Sequence, residues 1–247
     1  MATYKLTLSY DGTDYCGFQL QPNGKTIQGC LESALTAVYK TNIKVKGCSR
    51  TDAGVHARMY VCSYVAPECV PEDKLPLAIR AYLPDDICVS ECKLVDDEFH
   101  ARYDNCGKTY CYTINTSKFQ DVFTRRFEWH YPKKLNIADM QKATASFLGT
   151  HDFSGFMSAG SNVVGTVRTI SRLDIVSEGE RIKILIRADG YLYNMVRIIT
   201  GTLVMVGLGR INPDDMPDII KSCDRTRAGI TAPPEGLMLY EVHYDEN

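Results

Sequence analysis

Two periodicities alternate along this 247-residue chain, and their order, met twice, constrains the fold more than any other feature. The opening TYKLTLSY alternates apolar and polar residues, the period-two pattern of a half-buried strand. TIQGCLESALTAVYK follows, with Ile27, Cys30, Leu31, Leu35 and Val38 on one helical face. IKVKG and RMYVCSYVA read as strands, PEDKLPLAIRAYLP as a short helix opened and closed by prolines, and ICVSECKLV as a fourth strand. The second half repeats the order. KTYCYTI and RRFEWHYP are strands, and NIADMQKATASFLGTHDF is a helix with Ile137, Met140, Ala143, Ala145 and Phe147 available for packing. TVRTISRLDIVSEGERIKILIRADG is a hairpin turning at Glu178-Gly179-Glu180, YNMVRIITGTLVMVGLG a buried helix, and LMLYEVHY a last strand. The expected fold class is therefore α+β: two duplicated βαββαβ-like halves, each a sheet with helices on one face, and a cleft between them for a site. The boundary falls near residues 103 to 108, giving domains 1–105 and 106–247.

The apolar share, 45%, and the charged share, 23%, are those of a globular protein without low-complexity segments. The N-terminus lacks the apolar run of a signal peptide, and the longest uncharged apolar stretch, Ile198 to Gly209, is too short to span a bilayer. A soluble, cytoplasmic protein is expected. Ten cysteines in a chain of this size without an export signal are expected to be reduced, mostly buried thiols. No CxxC pair occurs and the five histidines are scattered, so no metal site is expected. The formal charge is −2, but residues 68–98 hold nine acidic and three basic side chains. The remainder holds 25 basic against 21 acidic residues, so one face could bind a polyanion while the acidic segment is simply a solvated helix and turn.

GCSRTDAGVHAR, residues 47–58, connects two strands and sets Asp52 among Arg50 and Arg58. Asp is common in turns, where it accepts backbone hydrogen bonds, and the arginines could be ordinary surface charges. Against that stands Arg197, one charge in the apolar run MVRIITGTLVMVG, which should meet a carboxylate because an unpaired buried charge costs several kcal/mol. Asp52 is a candidate partner, and pairing would keep it ionised as a nucleophile or general base. Tyr110 and Tyr112 share one strand face: packing suits Tyr112, whereas Tyr110 could be a platform for a stacked base. THDFSGF has no GxSxG elbow and is not read as a Ser/His/Asp triad. GLGR and DGTDYCG lack the context of a dinucleotide site.

GCSRTDAGVHA resembles the G-x-x-R-T-D-A-G-V-H-A signature of the tRNA pseudouridine synthase A family. YDGTDYCGFQLQPNGKTIQGCLESAL is similar to the family's opening, with Phe18 where many members carry Trp. FHARYDNCGKTYCYTI, FLGTHDFSGF, TVRTI, ADGYLYNMVRIITGTLVMVGLGR and APPEGLMLYEVHY follow in the family's order, so the resemblance covers essentially the whole chain. It implies two α+β halves joined in a long, mixed, mostly antiparallel sheet, a basic cleft, a homodimer, no membrane association and no cofactor or metal. It implies conversion of uridine to pseudouridine in tRNA, in the anticodon stem-loop, typically at nucleotides 38 to 40. Carried over by motif, Asp52 is the catalytic carboxylate, Tyr110 contacts the target base, Arg197 is the basic partner of Asp52, and Arg50 helps flip the uridine or fills its place. Arg125, Arg126, Lys133, Lys134, Arg168 and Arg172 are candidates for phosphate contacts. A family member with another tRNA target position, a non-catalytic RNA-binding module of two α+β units and a zinc enzyme are the alternatives. The RNP1 pattern of an RRM is absent, which weighs against the module.

Overall fold

The computed structural model describes residues 1–160 and 163–245. The fold is mixed α/β, with ten strands in one sheet and five short α-helices among the described residues. The chain forms two compact units: Met1–Cys106 together with the chain from Leu239 onward, and Gly107–Met238.

The first unit follows the expected order: β1 (Ala2–Tyr10), α1 (Ile27–Tyr39), β2 (Val45–Gly47), β3 (His56–Ala66), α2 (Leu75–Arg80) and β4 (Ile87–Val95). Its strands lie in the order β4-β1-β3, followed by the last strand of the chain, β10 (Leu237–Tyr244), and β2 pairs with β3. β1 is antiparallel to both neighbours, so Leu6 stands opposite Cys62 and Cys92, and all three are buried. Thr26 caps α1 by accepting the Gly29 N–H at 3.2 Å, and Lys40 ends it in the left-handed region at φ 56°. The buried face of α1 comprises Ile27, Leu31, Ala34, Leu35 and Tyr39, with Glu32. Cys30 and Val38, expected on that face, are only half-buried; Tyr39 anchors the helix instead, its hydroxyl 3.0 Å from that of Tyr64 in the core.

The second unit contains β5 (Asn105–Asn115), β6 (Trp129–His130), α3 (Ile137–Thr144), β7 (Gly149–Asp152), β8 (Val167–Glu178), β9 (Arg181–Ala188), α4 (Met195–Gly207) and α5 (Met216–Ser222). The strand order is β5-β9-β8-β7, with β6 parallel to β5. The β8–β9 hairpin closes where expected, Glu178 opposite Arg181 across two residues. α4 is buried along nearly its whole length, as its apolar run predicts. Three segments depart from the expectation. RRFEWHYP shrinks to the two residues of β6, because the preceding residues form a loop fastened to Glu128. The long helix expected after Asn136 ends at Thr144; a 3-10 turn, Ala145–Phe147, and Gly149 then redirect the chain into β7, which leaves Ala145 exposed. α5 arises in a stretch whose sequence carried no element reading.

All ten cysteines are free thiols. Cys48, Cys62, Cys92 and Cys111 are buried, but Cys69, Cys88, Cys106 and Cys223 are exposed, which corrects the expectation that most are buried. Cys88 shows why: it points outward from β4, the outermost strand of its unit. No helix among the described residues is long and apolar enough to cross a membrane.

Candidate active site

Residues 48–55 connect β2 to β3, as the sequence suggests, and the loop is braced at nearly every residue. The Cys48 N–H donates to the Val61 carbonyl at 2.9 Å, and the Tyr60 hydroxyl donates to the Ser49 carbonyl. Tyr60 is itself stacked on Phe18, ring centroids 4.3 Å apart. The Thr51 hydroxyl lies 2.8 Å from that of Tyr10, and its carbonyl accepts the Phe18 N–H at 3.1 Å. Beyond Asp52, the Gly54 N–H donates to the Tyr15 carbonyl at 3.3 Å, and the Val55 N–H closes a turn on the Asp52 carbonyl at 3.2 Å.

Much of this bracing comes from residues 12–18, which lie directly against the loop. A Cβ on Gly12 would stand 2.0 Å from the Val55 carbonyl oxygen. One on Gly17, whose φ is +87°, would stand 2.5 Å from that of Thr51. DGTDYCG, which lacks the context of a dinucleotide site, is thus part of the platform on which the Asp52 loop rests. Gly12, Gly17, Phe18, Thr51 and Tyr60 are not among the site residues expected from the sequence; its signals for them are two glycines five apart after a strand, Phe18 in the family's opening and Thr51 in the GCSRTDAGVHA stretch. His56 starts β3 as a buried side chain, its Nδ1 accepting the Gly12 N–H at 3.0 Å and lying 3.1 Å from Asp11 Oδ1.

The loop presents Asp52 half-buried and Arg50 exposed. Arg58, at the far end, is engaged elsewhere: its guanidinium lies over the Tyr240 ring at 4.9 Å, and Nη1 donates to the Tyr240 hydroxyl at 3.0 Å.

Tyr110 and Arg197 belong to the second unit. Tyr110 sits on β5 opposite Ile186, with only 5% of its surface exposed. Its ring meets the edge of Tyr191 at 4.8 Å and 79°. Tyr191 holds that geometry because its hydroxyl lies 2.7 Å from both the Lys108 and the Ile186 carbonyls. Burial, with Tyr110 adding, pushes the Tyr191 phenol well above its ordinary pKa, so it stays a donor. Tyr112 is fully buried and donates to the Pro233 carbonyl at 2.7 Å, a structural role.

Arg197 is half-buried in the first turn of α4. Its Nε donates to the Ala232 carbonyl and its Nη1 to Asn194 Oδ1, each at 2.7 Å. Asn194 is held in turn at φ 61°, donating to Ser158 Oγ at 2.9 Å. Among the described residues of its own unit, no carboxylate lies within ion-pair distance of Arg197.

The remaining sequence candidates separate by partner. Asp152 accepts the Ser154 N–H at 2.9 Å while His151 Nε2 lies 2.9 Å from the Leu148 carbonyl, a turn rather than a triad. Arg172 pairs with Asp174, and Arg168 Nη1 donates to the Val167 carbonyl at 2.6 Å. Arg125, Arg126, Lys133 and Lys134 are exposed. No three His, Cys, Asp or Glu side chains are grouped to hold a metal ion among the described residues.

A half-buried carboxylate on a braced loop is chemically able to act as a nucleophile or a general base, and the same arrangement is also compatible with a purely structural turn. The class of protein follows from likeness to known proteins: the pattern of the tRNA pseudouridine synthase family matches residues 7–104 and 143–245, and the chain belongs to that family. Three proteins named tRNA pseudouridine synthase A illustrate the kinship. That of Thermoanaerobacter sp. (strain X514) is 47% identical over 244 residues, 99% of this chain and 100% of that protein. That of Acetivibrio thermocellus is 46% identical over the same shares, and that of Bacillus subtilis (strain 168) 43% identical over 98% of each. A solved H/ACA RNP bound to a substrate RNA containing 2′-deoxyuridine is similar over 82% of this chain, at TM-score 0.32 and 10% identity. This chain spans about half (53%) of that one's length.

Proposed function

We propose that this enzyme isomerises uridine to pseudouridine in the anticodon stem-loop of tRNA, at nucleotides 38 to 40, with Asp52 as its catalytic carboxylate. The observation that carries the reading is the Asp52 loop itself, braced residue by residue in a chain of this family. The reaction breaks the N1–C1′ glycosidic bond, turns the detached uracil and joins C5 to C1′; N1 gains a proton and C5 loses its hydrogen to solvent. An ionised carboxylate can serve by adding at C1′ or by removing the C2′ proton, and both routes need it fixed beside the ribose. The loop's fastening at Thr51, Gly54 and Val55 supplies that fixity. Extruding the uridine from its stack costs a few kcal/mol, offset by contacts to the flipped base and backbone.

In this reading Tyr110 contacts the flipped base, held from behind by Tyr191. Arg197 is the basic partner of Asp52; within its own unit it donates to the neutral oxygens of Ala232 and Asn194. Arg50, exposed on the same loop as Asp52, helps flip the uridine or fills the space it leaves. The two compact units act as the two domains, RNA is bound by their basic residues, and the enzyme works as a cytoplasmic homodimer.

The test is tritium release from tRNA labelled at C5 of uracil, because bond formation at C5 expels that hydrogen. Wild type is expected to release label and Asp52→Ala to bind tRNA without release. Release by the variant would remove Asp52 from the chemistry; binding without release by wild type would favour the RNA-binding module.

A further inference from the structure

The loop joining β5 to β6 combines a heavily braced base with an apolar, exposed tip. Glu128 is 2% exposed and accepts from Asn115 Nδ2 at 2.6 Å, Thr124 Oγ1 at 2.7 Å and Arg181 Nε at 2.8 Å. Arg181 Nη2 also reaches Asp121 Oδ2 at 3.3 Å. Asp121 in turn accepts the Phe123 N–H at 3.0 Å, and Thr116 donates its N–H to the Glu180 carbonyl at 2.8 Å. A segment tied down this firmly has little left to order on binding. Yet Phe119 is 76% exposed, Val122 63% and Phe123 90%, in a protein whose other large rings are mostly in its core.

The charges around those rings favour one kind of partner. Lys118, Arg125 and Arg126 are exposed, with the Lys118 ammonium 5.3 Å from the Phe119 ring centre. Both acids of the loop, Asp121 and Glu128, are bound to Arg181. The outer surface therefore offers phenyl faces among cations. Against a second copy, a two-fold contact here would bring like charges together. Against RNA, the rings take bases and the cations take phosphates.

We infer that Phe119 and Phe123 form a stacking platform for unpaired bases of the RNA substrate, with Lys118 and Arg125 on the adjoining phosphates. The assignment rests on the reading of this chain as a tRNA-acting enzyme. It adds a substrate-binding surface to that reading.

Full-length variants are titrated against an unmodified tRNA transcript at several salt concentrations, with sedimentation to read assembly mass. Phe119→Ala and Phe123→Ala are each expected to weaken binding about tenfold, leaving the salt dependence unchanged. Arg125→Ala is expected to lower the slope of log K against log salt by about one. Phe123→Trp retains affinity, whereas Phe123→Leu, apolar but without a ring face, loses as much as alanine. Unchanged affinity in the alanine variants, or wild-type binding by Phe123→Leu, would overturn the platform. So would a fall in assembly mass with tRNA affinity per chain intact, which would make the loop a contact between copies. Tritium release by wild type separates the two readings: binding that depends on the rings without release sinks the isomerase and leaves the platform standing.

Discussion

Gly12 and Val55 approach so closely that a single methyl group would separate them: a Cβ on Gly12 would lie 2.0 Å from the Val55 carbonyl oxygen. The obstacle is backbone, so it cannot rotate aside. Gly12→Ala should displace the loop that carries Asp52, and a misplacement of about 1 Å costs on the order of 100-fold in rate. Single-turnover tritium release should fall by that order while tRNA affinity holds. A variant with wild-type turnover would show that the loop is not positioned by this contact.

Tyr112→Phe should separate packing from chemistry on β5. Removing the hydroxyl leaves the Pro233 carbonyl without its donor, for a loss of about 1 to 2 kcal/mol. Denaturant melts should register that loss, and turnover per folded molecule should be unchanged. Tyr110→Ala should lower turnover per folded molecule and also cost about 3 to 5 kcal/mol of stability, because it removes a ring that is only 5% exposed.

Acid should loosen the second unit through Glu128. Burial pushes its pKa up, but hydrogen bonds from Arg181, Thr124 and Asn115 outweigh burial and hold the carboxyl below its ordinary range. A folded-state pKa below the unfolded one gives stability that is present above the unfolded value and lost as pH falls through the folded one. Wild-type Tm should therefore drop below about pH 4, the ordinary carboxylate pKa. In Glu128→Gln this part of the acid limb should be flatter, and the variant less stable than wild type at pH 7. Superimposable Tm profiles would mean that Glu128 contributes nothing to the acid limb.

Thiol titration of the native protein checks the burial pattern directly. Cys69, Cys88, Cys106 and Cys223 are exposed and should react with an aromatic disulfide reagent ahead of the other six. Cys62 should be among the last, since burial raises its thiol pKa well above the ordinary value and suppresses the thiolate. Fast reaction of all ten would contradict the core described for the first unit.

The elements that could be read in advance share one property: a pattern contained within the segment. β1 alternates, α1 carries an apolar face, the β8–β9 turn has its glycine, and the run from Met195 to Gly207 has one charge in an apolar helix. The shortened β6 and the early end of α3 were hidden because their limits depend on distant partners. Glu128 fastens the loop before β6 through Arg181, 53 residues away, and the strand after α3 forms only because β8 is there to pair with it.

The candidate site divides in the same way. The sequence by itself determined which residues are candidates for the chemistry, since Asp52 between Arg50 and Arg58 is a local motif whose residue types limit what they can do. Only the tertiary structure decided what several of the candidates touch. It committed Arg58 to Tyr240, Tyr112 to Pro233 and Arg197 to Ala232 and Asn194, and it showed that Gly12 and Gly17 make room for the Asp52 loop. Most of these hydrogen bonds and close approaches join residues far apart in sequence, up to 182 positions for Arg58 and Tyr240, and no local pattern records which acceptor a donor finds once the chain has closed on itself.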